Sequence, residues 1–256
     1  AAVTNFVNSV SANAKEFNVD HQIALVGFAS NQSDGKSNQG SVSYGSSDEY
    51  WVNTGLFVNG QLKNYQTYRY GEWNSLTARD YRNALVSVNT NGSITQSITT
   101  AISRSTRTSY GLEMAQNVFA NNSIAAGSDR QRVVVLFTDG EPGQSEYNST
   151  EANNAISEAY TLKNTHNAKV YTVGLYDDDP SNVTNFMNYT SSNYPSAQST
   201  SNYGDKVDDK YYMTASDADE LNKIFTNIVE DSTESSTTVT LDAESVLRDI
   251  LNDGFV

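Results

Sequence analysis

Val3, Phe6, Val7 and Val10 repeat with the 3.6-residue period of one buried helical stripe, so the chain is expected to begin at or inside a helix. Three continuous apolar runs follow, at 22–28 (QIALVGF), 132–137 (RVVVLF) and 170–176 (VYTVGLY). Each has strand length, and a strand covered by helices on both faces reads as unbroken apolar sequence. Amphipathic stripes lie between and after them. Leu112, Ala115, Val118 and Phe119 form one. Ala152, Ala155, Ile156, Ala159 and Tyr160 form a second, opened by Asn148 with Glu151 in a capping-box arrangement. Leu221, Ile224, Phe225, Ile228 and Val229 form a third, with Ser216 as the expected N-cap and Asp219 three residues on. Strands alternating with such helices predict right-handed βαβ units and an α/β fold with a mostly parallel sheet.

The stretch 31–104 breaks the alternation, being polar and rich in Gly, Asn, Ser and Tyr. Within it, 50–60 (YWVNTGLFVNG) alternates like an antiparallel hairpin strand, and 77–85 and 94–102 read as short helices. A structureless segment of that length is unusual in a compact domain. A partly structured insertion projecting from the sheet edge is therefore expected. Residues 231–238 (DSTESSTT) read as a polar linker, with 239–241 a strand and 243–251 a short helix. The expected layout is one domain over 1–230, interrupted at about 31–104, then a linker and the start of a following domain over 231–256. The chain opens Ala1-Ala2-Val3-Thr4 without an initiator Met or signal peptide and ends at Phe255-Val256 without an anchor motif, so it reads as an excised region.

Composition narrows the classes of partner. The net charge of -14 and a pI near 4.4 disfavour nucleic acid and anionic membranes, which reward clustered Lys and Arg. No run approaches the roughly 18 apolar residues of a membrane span. With no Cys, disulfide scaffolds and thiolate metal sites are excluded. Only 18% of residues are charged while Asn, Ser, Thr and Tyr are abundant, which points to an extracellular Gram-positive surface protein, at the cell surface or in the cell wall.

Two segments carry candidate chemistry where open α/β sheets place their sites. The run 133–142 (VVVLFTDGEP) delivers Thr138, Asp139, Gly140 and Glu141 to the carboxyl end of a buried strand, where a carboxylate can hold a hard cation. The run 105–112 (STRTSYGL) is a hydroxyl-rich loop entering a helix. With these two motifs the chain resembles the von Willebrand factor A (vWA) family, over residues 1–30 and 105–230. Strands 23–28 and 170–175 are similar to the family's second and fifth. The resemblance implies a Rossmann-like sheet flanked by helices and a metal-ion-dependent adhesion site. Thr106 matches the family's metal-binding Thr, and Asp139 its Asp. The family's Asp-x-Ser-x-Ser loop has no counterpart in these 256 residues. Mg²⁺ (or Mn²⁺ or Ca²⁺) is thus expected to bind weakly to Thr106 and Asp139 alone, because Mg²⁺ demands six oxygens.

Ser109 and Glu141, beside those two, and Trp51 and Trp73 in the insertion are assigned to ligand contact. The Tyr-rich insertion is similar to those of Gram-positive pilus-tip and surface adhesins, which implies a metal-dependent adhesion module. Its partner would be a protein, from the host matrix or another surface protein, engaged through carboxylates. An alternative reading is an intracellular vWA subunit assisting an AAA-type ATPase or a metal-insertion complex; a third is a structural spacer without a working metal site. Catalysis is not expected, because His21 and His166 read as surface residues and no Gly-x-Ser-x-Gly elbow accompanies them. Asp177–Asp179 and the group Asp205, Asp208, Asp209 read as solvated acidic loops. The aromatic set Tyr44, Tyr50, Trp51, Tyr65, Tyr68, Tyr70 and Trp73 is open between a ligand platform and the insertion's own core. In the gene, an apolar strand ending in Asp-x-Ser-x-Ser is expected within about 25 residues upstream of Ala1, the length of a strand plus a short loop.

Overall fold

The stripe at the start of the chain forms helix α1 (Ala2–Glu16), which buries Val7, Val10 and Ala14. The computed structural model describes residues 2–31, 34, 40–44, 47–51, 54–58, 61–69, 72–88, 105–138, 141–143, 146–175 and 180–234. After α1 come the short strands β1 (Gln22–Ile23) and β2 (Val26–Gly27). The insertion supplies β3 (Gly40–Tyr44), β4 (Ser47–Trp51), β5 (Gly55–Val58), β6 (Gln61–Asn64), β7 (Gln66–Arg69) and β8 (Glu72–Ser75). It continues with helix α2 (Ala78–Ala84) and β9 (Val86–Ser87). Then follow α3 (Thr108–Asn121), β10 (Arg132–Thr138), α4 (Ser149–Asn164) and β11 (Ala168–Gly174). The last elements are α5 (Ser181–Thr190), β12 (Tyr212–Thr214) and α6 (Ala218–Glu234).

The expected parallel sheet flanked by helices is built from β10, β11 and β12. β10 and β11 run in register from Arg132↔Ala168 to Thr138↔Gly174, and β12 joins at Thr172↔Tyr212. Strand alternation sorts the side chains into two cores. Val134, Leu136 and Val170 pack with Leu112 of α3, with Ile156 and Leu162 of α4 and with Phe186 of α5. Val133, Val135, Phe137, Tyr171 and Val173 pack under α6 with Phe6 of α1. Phe225 is the link there, its ring 5.0 Å from Phe6 and 6.0 Å from Phe137. Three layers result: α3, α4 and α5, then sheet, then α1 and α6. In α4 the alanines 152, 155 and 159 are fully buried, and with no side chain beyond Cβ they admit close approach of α3 and β11. Among the described residues no strand pairs with β10 on the side away from β11, and Val133–Val135 are only half-buried there.

The run 22–28 departs from its predicted form. It makes two short antiparallel ladders with different partners, Ile23 with Val86 and Val26 with Leu56, and residues 23–26 are half-buried. Its apolar sequence serves two small cores, one with α1 and one with the insertion. The predicted strand at 50–60 likewise divides between β4 and β5, which belong to separate sheets, β3-β4-β7-β8 and β2-β5-β6. The insertion does not simply project. Leu56, Leu76 and Tyr81 pack on Met114 and Val118 of α3, and the Tyr65 hydroxyl donates to Glu113 at 3.2 Å. Helix α2 matches its prediction, whereas 94–102, 239–241 and 243–251 lie outside the described residues.

Helix ends follow local chemistry with two changes. At α6 the cap is Asp217 rather than Ser216: its carboxylate accepts from the amides of Asp219 and Glu220, while Ser216 bonds Glu220. α6 also runs through Glu234, past the start of the predicted linker. α5 and β12 were not predicted, although Val183, Phe186 and Met187 carry helical spacing and are fully buried. The end of α5 and the start of the segment that follows it are tied down by Lys163, whose ammonium donates to the carbonyls of Tyr189, Thr190, Ser191 and Tyr194.

At α2 the capping box is reciprocal: Thr77 accepts from the Asp80 amide, and the Asp80 carboxylate accepts from Thr77 and from Lys63 at 2.6 Å. Burial alone would raise the Asp80 carboxyl, but these donors outweigh it and hold it at about 2. Its folded value thus lies below its unfolded one, so its stabilisation is present above the unfolded value and lost on acidification. Asp80→Asn is expected to lower stability at pH 7 by about 1 kcal/mol. In thermal melts the gap from wild type should close as the pH falls through about 2.

Candidate functional site

The hydroxyl-rich loop at 105–107 has no secondary structure of its own, and its backbone is held from two sides. Thr106 pairs antiparallel with Gly143, its amide donating to the Gly143 carbonyl and its carbonyl accepting from the Gly143 amide at 3.1 Å. Ser105, held at φ 64, adds a hydroxyl bond to the same carbonyl at 3.1 Å. From the other side the Arg107 amide donates to the Ala29 carbonyl at 2.8 Å, just after β2. Loop 105–107 is thereby wedged between the loop after β10 and the end of β2.

This bears on the predicted site residues one by one. Thr106 is half-buried in the wedge, and Ser109 is buried in the first turn of α3. Glu141 is half-buried two residues before Gly143, so its loop is the one bonded to Thr106. Thr138 is buried at the end of β10, in register with Gly174. Asp139 lies outside the described residues. Trp73 is 42% exposed on β8 with its ring 5.3 Å from Tyr68. The register aligns Tyr50, Tyr68 and Trp73 in one row and Trp51, Thr67 and Asn74 in the next.

Three residues that the sequence did not assign to the site organise this region. Glu151 was expected to complete a capping box at α4, and Asn148 does accept its amide at 3.0 Å. The Glu151 carboxylate, however, turns to the neighbouring helix, where it accepts the Ser109 amide at 2.8 Å and pairs with Arg107. Arg107 also grips Asp34 with its guanidinium, Nε donating at 2.9 Å and Nη2 making a further bond. Contact with the Asp34 carboxylate holds the Arg107 guanidinium even further above neutrality than usual. Burial chiefly, and then the charge of Glu141, raises the nearby Tyr147 phenol. An arginine inside a run of hydroxyl residues was the one available signal of these buried carboxylates.

The donor chemistry fits a hard cation. Hydroxyls line the loop, and among the described residues the buried Thr108 Oγ1 finds no hydrogen-bond partner, so the α3 end of the loop carries an oxygen with unused capacity. Among the described residues no group of three or more His, Cys, Asp or Glu side chains gathers to hold a metal. His21 bonds Asn13 at 2.9 Å, and the His166 ring lies 6.1 Å from Phe119. Asp209 pairs with Lys206 and Asp208 caps its own turn, while Asp177–Asp179 lie outside the described residues.

A family description, von Willebrand factor type A domain, matches residues 78–227, more than half of the chain. The chain belongs to the vWA family. Comparison with curated proteins finds no match. Among solved structures, this vWA chain is similar to the pilus adhesin SpaC from Lactobacillus rhamnosus GG in its open conformation, with a TM-score of 0.49 and 14% identity. The likeness covers 90% of this chain and 27% of SpaC, so the chain spans about a quarter of that protein's length. No helix among the described residues of the vWA chain is long and apolar enough to cross a membrane.

Gly143 is the hinge of the wedge. Its φ is +142, and a Cβ there would lie 2.4 Å from the Glu146 carbonyl oxygen. Gly143→Ala is expected to destabilise the vWA domain by about 1–3 kcal/mol in denaturant unfolding. An unchanged midpoint would show that the turn relaxes freely.

Proposed function

We propose that this vWA domain is a metal-dependent ligand-binding module of a bacterial surface protein, binding carboxylates of a protein partner through a divalent cation. The observation that carries the reading is the backbone pairing of Thr106 with Gly143, which ties the hydroxyl loop to the loop that follows Thr138-Asp139-Gly140. Thr106 and Asp139 would hold Mg²⁺, with Mn²⁺ or Ca²⁺ as substitutes. The bound cation supplies an electrophilic point for an acidic side chain. Few protein charges in direct contact leave its positive charge incompletely neutralised, which favours an anionic partner.

Two donors fall short of the six that Mg²⁺ takes. The remaining oxygens are proposed to come from an Asp-x-Ser-x-Ser segment whose strand pairs with the open side of β10. The half-buried Val133–Val135 support that placement, since an unpaired apolar edge gains both hydrogen bonds and burial from a further strand. Ser109 and Glu141 border the proposed cation site, and the insertion with Trp51 and Trp73 is proposed to contribute ligand preference. The role is binding without catalysis, at the cell surface.

Calorimetric titration of Mg²⁺ into the full-length protein tests this. Saturable binding is expected, abolished by Asp139→Ala and weakened by Thr106→Ala. Equal heats for wild type and Asp139→Ala would overturn the metal role.

A further inference from the structure

The root of the insertion and the starts of two helices meet at a single guanidinium. Arg107 lies between Asp34, whose side chain is fully buried, and Glu151, 1% exposed. Asp34 accepts Arg107 Nε through both oxygens, at 2.9 and 3.1 Å, and also accepts the Asn31 amide at 2.9 Å. Glu151 accepts Arg107 Nη1 at 3.3 Å and the Ser109 amide at 2.8 Å. The residue immediately before Arg107 is Thr106, and the Arg107 amide itself donates to the Ala29 carbonyl.

We infer that Arg107, Asp34 and Glu151 form a positioning clamp that sets where the Thr106 hydroxyl stands and couples that position to the insertion. The fork geometry of a guanidinium accounts for the choice of residue: it spans two carboxylates at once, which a lysine ammonium on a flexible stem does not. Beyond its bridge to Gly143 and its bond to Ala29, loop 105–107 has no ladder or helix to hold it, so the Arg107 side-chain anchors add to those two attachments in fixing its conformation. Asp34 lies at the start of the insertion, so any shift of the insertion's root pulls on the residue next to Thr106. Two carboxylates around one guanidinium also leave one net negative charge beside the loop, which favours a cation there. That Thr106 holds a cation rests on the function proposed above; the clamp itself is a property of the metal-free chain.

The test uses the full-length protein in two arms. Hydrogen–deuterium exchange without metal compares Asp34→Asn and Arg107→Lys with wild type. Exchange of the Thr106, Arg107 and Ser109 amides should rise at least about ten-fold while Val170 and Val173 stay unchanged, since local opening is independent of the core. Mg²⁺ affinity of the same variants should fall about 10–100-fold, as for groups that orient a metal's ligands. Unchanged exchange at Thr106 overturns the clamp, as does faster exchange with unaltered Mg²⁺ affinity. Faster exchange in the variants, with no Mg²⁺ binding by wild type, supports the clamp and overturns the metal reading. Arg107→Lys keeps a positive charge between the carboxylates, so it reports on fork geometry where Asp34→Asn folds poorly.

Discussion

A loop with no regular structure keeps a fixed shape only when its backbone polar groups are satisfied by neighbours, because unpaired buried amides and carbonyls are costly. Loop 105–107 meets that condition through Gly143 on one side and Ala29 on the other. Everything proposed for the domain depends on this double attachment. It brings a segment that follows the insertion, a segment that follows β10 and the end of β2 to one place. The parallel sheet beneath, with α3, α4 and α5 on one face and α6 on the other, supplies the rigid base against which the loops are held.

Much of the base was legible in the sequence. Runs such as VVVLF and stripes such as Ala152, Ala155, Ile156 and Ala159 have a period that follows from burial alone, so β10, β11, α3, α4 and α6 were predicted close to their observed bounds. Less legible was 22–28, because an apolar run does not reveal whether one long ladder or two short ones will use it. α5 escaped notice for a different reason: its few apolar positions follow an acidic stretch and Pro180, and the surrounding polar sequence masked them.

The candidate site was legible in its motifs and not in its scaffolding. Thr106 and the Thr-Asp-Gly-Glu run are local in sequence, so a family resemblance found them. Asp34 and Glu151 meet Arg107 across separations of 73 and 44 residues, and no local pattern announces such a partnership. Glu151 was noticed, but for its own helix; its carboxylate serves the helix beside it because Asn148 alone satisfies the cap.

Ala29 and Arg107 are hydrogen-bonded neighbours, although 77 residues separate Ser30 from Thr106 inclusive of both. The intervening chain is a closed excursion whose two feet stand side by side. Lengthening or shortening such an excursion changes its closure entropy only slowly. Replacing its tip with unrelated sequence therefore asks little of the sheet and helices below. The attachments at its feet, where loop 105–107 meets Ala29 and Gly143, are backbone bonds that such a replacement leaves in place.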